Sequence, residues 1–430
     1  MEIDKLYRIF LQHPVISTDS REIPSGCLFF ALKGEKFDGN KFATESLKKG
    51  AAYAIIDQPD LAGDERLILV DSVLGCLQSL ANYHRKQLGI KIIAITGTNG
   101  KTTTKELASA VLQQKYQVTF TRGNRNNHIG VPLTLLGMTS RTEVAVIEMG
   151  ANHPGEIAAL CKIAEPDYGL ITNIGKAHLE GFGSFEGIVR TKSELYDFLR
   201  KNGGKCFLNI DNGLLVKQAD GLEQITYGSL SGAMLQGMRE EGVYFLTVRA
   251  LFPKGWLYLK SKLIGSYNFE NIMAAALIGL YFGVDPLFIQ KAIETYQPGN
   301  NRSQLMQLRS NNVIMDAYNA NPTSMMAALE NFRTIKHAKK VLILGDMLEL
   351  GSQSEKEHQK IADFINKENF FRVFLVGKNF SKTNTREAVK KIQSSALLAA
   401  YIEKQAPMEN TLILIKGSRG IQLEKVIAKI

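Results

Sequence analysis

A chain of 430 residues is too long for one hydrophobic core and should divide into two to four domains. Its 45% hydrophobic and 22% charged residues exclude long disordered stretches, and its four cysteines, scattered without a CxxC pair, fit a reducing cytoplasm better than a disulfide scaffold or a zinc site. The net charge of +10 is spread along the chain without interleaved aromatics, which argues against nucleic acid and fits small polyanionic substrates as well.

In chain order, the opening MEIDKLYRIFLQHPVIS carries acids and no long apolar run, so no signal peptide is expected. No stretch approaches about 18 apolar residues, so no membrane span is expected either. Residues 1–82 hold short strand-like runs, CLFFAL and AAYAIID, around the turn-rich KGEKFDGN. From 83 to 298 strand and helix alternate: IIAIT before KTTTKELASAVLQQ, VAVIEMG before PGEIAALCKIA, then YGLITNI. That alternation predicts βαβ units and a mostly parallel sheet covered by helices. The alanine-rich helix NFENIMAAALIGLYFG follows, and then a hinge at YQPGNN. From 299 to 430 the runs VIMDAY, KVLILGD, FRVFLVG and TLILIKG predict a second, smaller α/β unit. The fold class is therefore α/β with three domains, the central one built on a mostly parallel sheet.

The most specific local signal is IIAITGTNGKTTTKEL (Ile92 to Leu107), a buried strand running into a glycine-rich turn and then a helix. Gly97 and Gly100 let backbone N–H groups converge on phosphate oxygens, and the helix N-terminus adds partial positive charge. The run Gly97, Thr98, Asn99, Gly100, Lys101, Thr102, Thr103 is the candidate ATP site. Lys101 suits the β- and γ-phosphates, and the Thr102 hydroxyl suits Mg²⁺. The loop is the short form G-x-x-G-K-T, with Ile95 where the longer motif has its first glycine.

Glu148, at the C-terminal end of VAVIE, stands where ligands gather in an open α/β sheet and is a candidate Mg²⁺ carboxylate. His178 follows another buried strand in ITNIGKAHLEGFG. Lys192 lies in RTKSEL, on a helix that Ser184 can cap and that tolerates Gly187 early on. Read alone, Lys192 is a solvated helix cation.

The segments TGTNGKTTT, EMGANHPGEI, TNIGKAHLEGFGS, YNFENIMAAA, DAYNANPTSM, LGDMLELG and KGSR occur in this order. Together they resemble the Mur ligases, nearest the members that add D-alanyl-D-alanine to UDP-N-acetylmuramoyl-tripeptide in making the peptidoglycan precursor. ISTDSREIPSGCLFFALKGEKFDGNKF (Ile16 to Phe42) also resembles that family's nucleotide-sugar domain, so the resemblance covers nearly the whole chain. It implies an ATP-dependent amide ligase working through an acyl phosphate, with Lys101, Glu148, His178 and Lys192 as catalytic residues. It implies Mg²⁺ held by Thr102, Glu148, His178 and Lys192, the last as a CO₂-derived carbamate. Asn268 and Asn271 would meet the adenine edge, and Arg302 and Asp316 would contact phosphate and ribose. Ser20, Arg21, Asn126 and Asn127 would face the muramoyl nucleotide, and Asn319 and Asn321 the dipeptide. Tyr267 stands where the family has histidine, and His128 where an acid is common. The resemblance also implies a cytoplasmic enzyme, expected to be monomeric, with the tripeptide nucleotide and D-alanyl-D-alanine as its partners. Three alternatives stay open at this point: a third-residue-adding Mur ligase, a folylpolyglutamate-synthase-like ligase, and a P-loop nucleotide switch.

Overall fold

The computed structural model describes residues 2–61, 63–240, 244–299 and 302–430. The chain folds around three main sheets. The first is a parallel four-stranded sheet in the order Ile16–Ser17, Leu28–Phe30, Tyr53–Ile56, Leu67–Leu69. The two middle strands are the cores of CLFFAL and AAYAIID. The turn-rich segment between them makes a small hairpin, Lys33–Gly34 against Phe37–Asp38.

Helix Val73–Leu88 leads away from this sheet, capped by Ser72, whose side chain accepts from Gly75 N, and closed by Gly89 in the left-handed region. Residues 82 and 83, where the sequence pattern changes, both lie inside this unbroken helix. The helix turns Leu77, Leu80 and Ala81 into a core shared with Leu135, Ile157 and Leu160 of the following unit, so packing carries it across the change in pattern.

The central sheet has nine strands. Six of them run Glu223–Gly228, Lys205–Asn209, Tyr168–Ile171, Lys91–Thr96, Val144–Glu148, Val118–Phe120, all parallel. Strand Lys91–Thr96 shows why the middle is so apolar: Ile92 and Ala94 enter the core on one face, and Ile93 and Ile95 the core on the other. A strand buried on both faces reads as a continuous hydrophobic run. The remaining strands, Leu235–Glu240, Phe245–Phe252 and Gly255–Ile264, pair antiparallel and extend one edge. The expectation of a mostly parallel sheet holds for the middle, while this edge carries the alternating pattern of strands with one solvated face.

Helix Lys101–Leu112 contains three successive threonines, poor helix formers. Packing sustains it: Val111 lies so close to Gly279 of helix Phe269–Tyr281 that a Cβ there would be 2.3 Å from Val111 Cγ1.

The third sheet has the order Gln304–Leu308, Asn311–Asp316, Leu412–Lys416, Lys340–Gly345, Arg372–Val376, Val389–Ile392. Its four central strands are the four anticipated runs, and only the first pairing is antiparallel. The hinge read at YQPGNN joins the two larger sheets; its Asn300 and Asn301 lie outside the described residues. Among the described residues, no helix is long and apolar enough to cross a membrane.

Candidate active site

A cavity of about 640 Å³ opens between the second and third sheets. Its walls include all of Thr98 to Thr103, Asn126, Asn127, Glu148, His178, Asn268 and Asn271 on one side, and Arg302, Asp316, Asn319 and Asn321 on the other. The parallel register explains the meeting. Ile95 lies beside Glu148, and Thr96 beside Ile171, so three strands end level and their loops converge.

The glycine turn does what its sequence requires. Gly97 and Gly100 have φ of +138° and +80°. A Cβ on Gly97 would meet Thr172 Oγ1 at 2.1 Å, and one on Gly100 would meet Asn271 Oδ1 at 2.4 Å. The loop is clamped from the next strand end: Thr172 Oγ1 donates to Asn99 O at 2.6 Å, Asn99 N donates to Asn173 Oδ1 at 3.0 Å, and Asn173 Nδ2 donates back to Asn99 O at 3.1 Å. These two clamps were not singled out in the sequence, although they sit at a parallel-strand end in ITN. Lys101 Nζ donates to Gly97 O and Thr98 O, at 2.8 and 3.0 Å. Burial lowers its pKa, with Arg302 adding to the effect and Glu148 opposing it.

Asn268 and Asn271 line the cavity, but their amides are committed within the protein. Thr104 Oγ1 donates to Asn271 Oδ1 (2.9 Å), Asn271 Nδ2 to Asn268 Oδ1 (2.8 Å), and Asn268 Nδ2 to Ile264 O (2.8 Å). This chain ties the phosphate loop to helix Phe269–Tyr281. It gives the pair a bracing task at the cavity wall.

Glu148 is 2% exposed. Its Oε1 accepts from Asn126 Nδ2 at 2.8 Å, whereas Oε2 has no hydrogen-bond partner and faces Lys105 Nζ at 3.8 Å. Asn127 Oδ1 accepts from Ile129 N and Gly130 N and so fixes the turn that leads into helix Gly130–Leu136. His178 has a left-handed backbone, φ +49°. Its Nδ1 pairs with Glu349, a residue of LGDMLELG to which no role was assigned from sequence. Burial pushes the His178 pKa down, Glu349 pulls it up, and Lys101 and Lys192 reinforce the lowering.

Lys192 is not a solvated cation. It sits on helix Phe185–Asn202, capped by Ser184, and is 3% exposed. Its Nζ lies 5.3 Å from the Phe182 ring centre and donates at 3.3 Å to the carbonyl of Ala151, a residue of the cavity wall. Burial brings its pKa down to about 7, helped by Lys101 and opposed by Glu156 and Glu194. Glu194, from the same RTKSEL run, accepts from Gly155 N and Ala158 N at 2.8 Å each and so closes the start of helix Glu156–Ala164.

On the third-sheet side, Arg302 stacks on the Tyr318 ring at 3.7 Å. Asp316 is already paired with Lys416 of KGSR, at 2.6 Å. Asn319 Oδ1 accepts from Ala320 N. Asn321 has two tasks: its Oδ1 caps helix Pro322–Thr334 in a capping box with Ser324, and its Nδ2 donates to Asn99 Oδ1 at 2.8 Å. YNANP is thus joined directly to the phosphate loop. Lys176 reinforces the junction, its N donating to Thr323 Oγ1 and its Nζ to Glu357.

Ser20 and Arg21 lie outside this cavity. Arg21 is exposed and forms a two-pronged pair with Asp19, at 2.9 and 2.6 Å.

Comparisons with known proteins agree with this arrangement. The Mur ligase family catalytic domain matches residues 14–85, the Mur ligase middle domain 95–279, and the Mur ligase glutamate ligase domain 301–419. The UDP-N-acetylmuramoyl-tripeptide–D-alanyl-D-alanine ligase of Bacillus subtilis is 38% identical over 428 residues, covering 96% of this chain and 92% of that protein. The crystal structure of MurF from Acinetobacter baumannii superposes with a TM-score of 0.87 at 32% identity, over 96% of this chain and 92% of that one. MurF from Thermotoga maritima, solved in complex with ADP, gives 0.86 at 26% identity, over 96% of both chains. Matched by these domain families along most of its length and 38% identical to a relative over 96% of the chain, the protein belongs to the Mur ligase family.

Proposed function

We infer that the chain is an ATP-dependent ligase that adds D-alanyl-D-alanine to UDP-N-acetylmuramoyl-tripeptide, giving the pentapeptide nucleotide, ADP and phosphate. The observation that carries this reading is the Asn321–Asn99 bond, which joins the YNANP loop to the phosphate loop across one cavity. The tripeptide carboxylate attacks the γ-phosphorus and ADP leaves. The dipeptide nitrogen then attacks the acyl carbon, the C–O bond to phosphate breaks, and the ammonium proton passes to solvent.

Both steps crowd anions together, so fixed cations must offset the repulsion. Lys101 is poised for this: an arriving phosphate replaces its two loop carbonyls as hydrogen-bond partner. Closure of the third sheet over the cavity keeps water from a hydrolysable acyl phosphate.

The donor set suits Mg²⁺. Glu148 Oε2 is buried at the cavity wall without a hydrogen-bond partner, and Thr102 and His178 line the same cavity. This ion takes few protein ligands and keeps phosphate and water oxygens. Glu349 occupies His178 Nδ1 and leaves Nε2 for a ligand, the usual arrangement around a metal-binding histidine. Thr102, Glu148, His178 and carbamylated Lys192 would hold the ion, which when bound neutralises phosphate charge.

Carbamylation of Lys192 is part of the proposal. CO₂ adds to an uncharged amine, and an amine lowered to about 7 is substantially uncharged near neutrality. The reading also includes binding of the tripeptide nucleotide by residues 1–82, phosphate-loop chemistry by 83–298 and dipeptide capture by 299–430. We place this activity in a cytoplasmic monomer.

The chain carries DAYNANP and no DNPR-type motif such as the third-residue-adding ligases have in their last domain, and the muramoyl-nucleotide opening separates it from folylpolyglutamate synthases. The test is phosphate release from ATP measured with each substrate omitted in turn. Release should require both the tripeptide nucleotide and D-alanyl-D-alanine; equal turnover without the dipeptide would overturn the reading and favour a nucleotide switch.

A further inference from the structure

Lys105 sits one helical turn beyond Lys101 and is 0% exposed, with no hydrogen-bond partner for its ammonium nitrogen. A buried ammonium without hydrogen bonds is rare and needs a reason. Its surroundings supply one. Nζ lies 3.8 Å from Glu148 Oε2 and 3.6 Å from Glu106 Oε1, with the Phe120 ring centre 6.0 Å away. Glu106 is engaged through its other oxygen, which accepts from Tyr296 OH at 2.7 Å. Glu148 is engaged through Oε1 by Asn126. Lys105 Nζ therefore lies between two carboxylate oxygens, Glu106 Oε1 on its own helix and the orphaned Glu148 Oε2 at the cavity wall. Among the described residues, Lys105 is the only cation within ion-pair distance of Glu148.

The separation of 3.8 Å is too long for a hydrogen bond. The carboxylate oxygen is neutralised without being captured, and it stays available to the cavity. A fixed positive charge at this distance also repels any divalent cation that Glu148 would ligate. The nucleotide phosphates bring the negative charge that outweighs this repulsion.

We propose that Lys105 is a positioning residue that holds the Glu148 carboxylate as a metal-free countercharge and makes divalent-metal binding depend on the nucleotide. The inference rests on Glu148 being the metal carboxylate. Arginine at 105 would keep the charge, whereas methionine would keep the length and apolar stem without it.

The experiment is Mn²⁺ binding to the whole protein, followed by electron paramagnetic resonance with and without ADP. The wild type should bind Mn²⁺ weakly alone and tightly with ADP. Lys105→Met should bind Mn²⁺ alone at least about tenfold more tightly, so that the ADP dependence shrinks; Lys105→Arg should follow the wild type. Unchanged or weaker nucleotide-free binding in Lys105→Met overturns the inference. Glu148→Gln should lose the ADP-dependent Mn²⁺, and its retention would overturn the underlying metal reading, a different signature. If Lys105→Met does not fold, the cause under this inference is the unpaired carboxylate. The neutral pair Lys105→Met/Glu148→Gln should then fold, and its failure to do so overturns the inference as well.

Discussion

Asn321 combines a helix cap with a bond across the cavity, and two substitutions separate the tasks. Serine is as good an N-cap as asparagine but too short to reach Asn99; alanine can do neither. Loss of the cap costs about 1 kcal/mol of stability. Loss of a part-buried neutral hydrogen bond costs about 1 kcal/mol net, or about fivefold in an equilibrium. Asn321→Ser should therefore melt close to the wild type while its kcat/KM for D-alanyl-D-alanine falls about fivefold, the share of closure energy lost with the Asn99 bond. Asn321→Ala should show the same kinetic loss and, in addition, a lower Tm. The assays are a thermal melt monitored by circular dichroism and steady-state phosphate release with the dipeptide varied. The bond is modest because Lys176 also holds the junction through Thr323 and Glu357. If Asn321→Ser retains full kcat/KM, or loses as much Tm as the alanine variant, the reasoning is wrong.

Four further outcomes are expected. Lys192→Ala should lose most activity and regain part of it with added short-chain carboxylate; rescue by an amine alone would instead mean that the lysine acts as a plain cation. Because the folded Lys192 pKa is lowered to about 7 against an ordinary 10.5, the unfolded chain binds more protons between these values, and stability from this group rises with pH across that window. In CO₂-depleted buffer, where the amine is free, the difference in denaturant midpoint between wild type and Lys192→Met should drift accordingly from pH 7 to 10, and no drift would refute burial of the amine. Glu148→Gln should fold, since Asn126 still finds an acceptor, yet lose at least about a hundredfold in kcat at saturating Mg²⁺, measured by phosphate release. Gly100→Ala should cost about 1–2 kcal/mol through its positive φ and its clash with Asn271, and should weaken ADP binding measured by calorimetry.

Much of the architecture was legible because the signals were local. The strand IIAIT, its glycine turn and the helix behind it need only neighbouring residues to be read, and the same holds for the Ser184 cap. The antiparallel edge over 235–264 leaves no buried apolar run in the sequence, because its strands alternate between buried and solvated residues. The amides show a different limit. Asn268, Asn271 and Asn321 are residue types that bind ligands or cap and brace, and the letters cannot say which of these a given amide does. Here brace and cap account for nearly all their hydrogen bonds.

Sequence by itself determined the phosphate loop, the strand-end carboxylate and the order of motifs, because each depends on spacing along a single strand, turn or helix. Only the tertiary structure decided the state of the lysines. Lys192 and Lys105 lie on helices whose patterns would equally suit a solvated cation. Burial, with Lys101 nearby, lowers the pKa of one, and the approach of Glu148 gives the other a second carboxylate beside that of its neighbour Glu106. Desolvation and charge pairing arise between segments far apart in the chain, so no local pattern can record them.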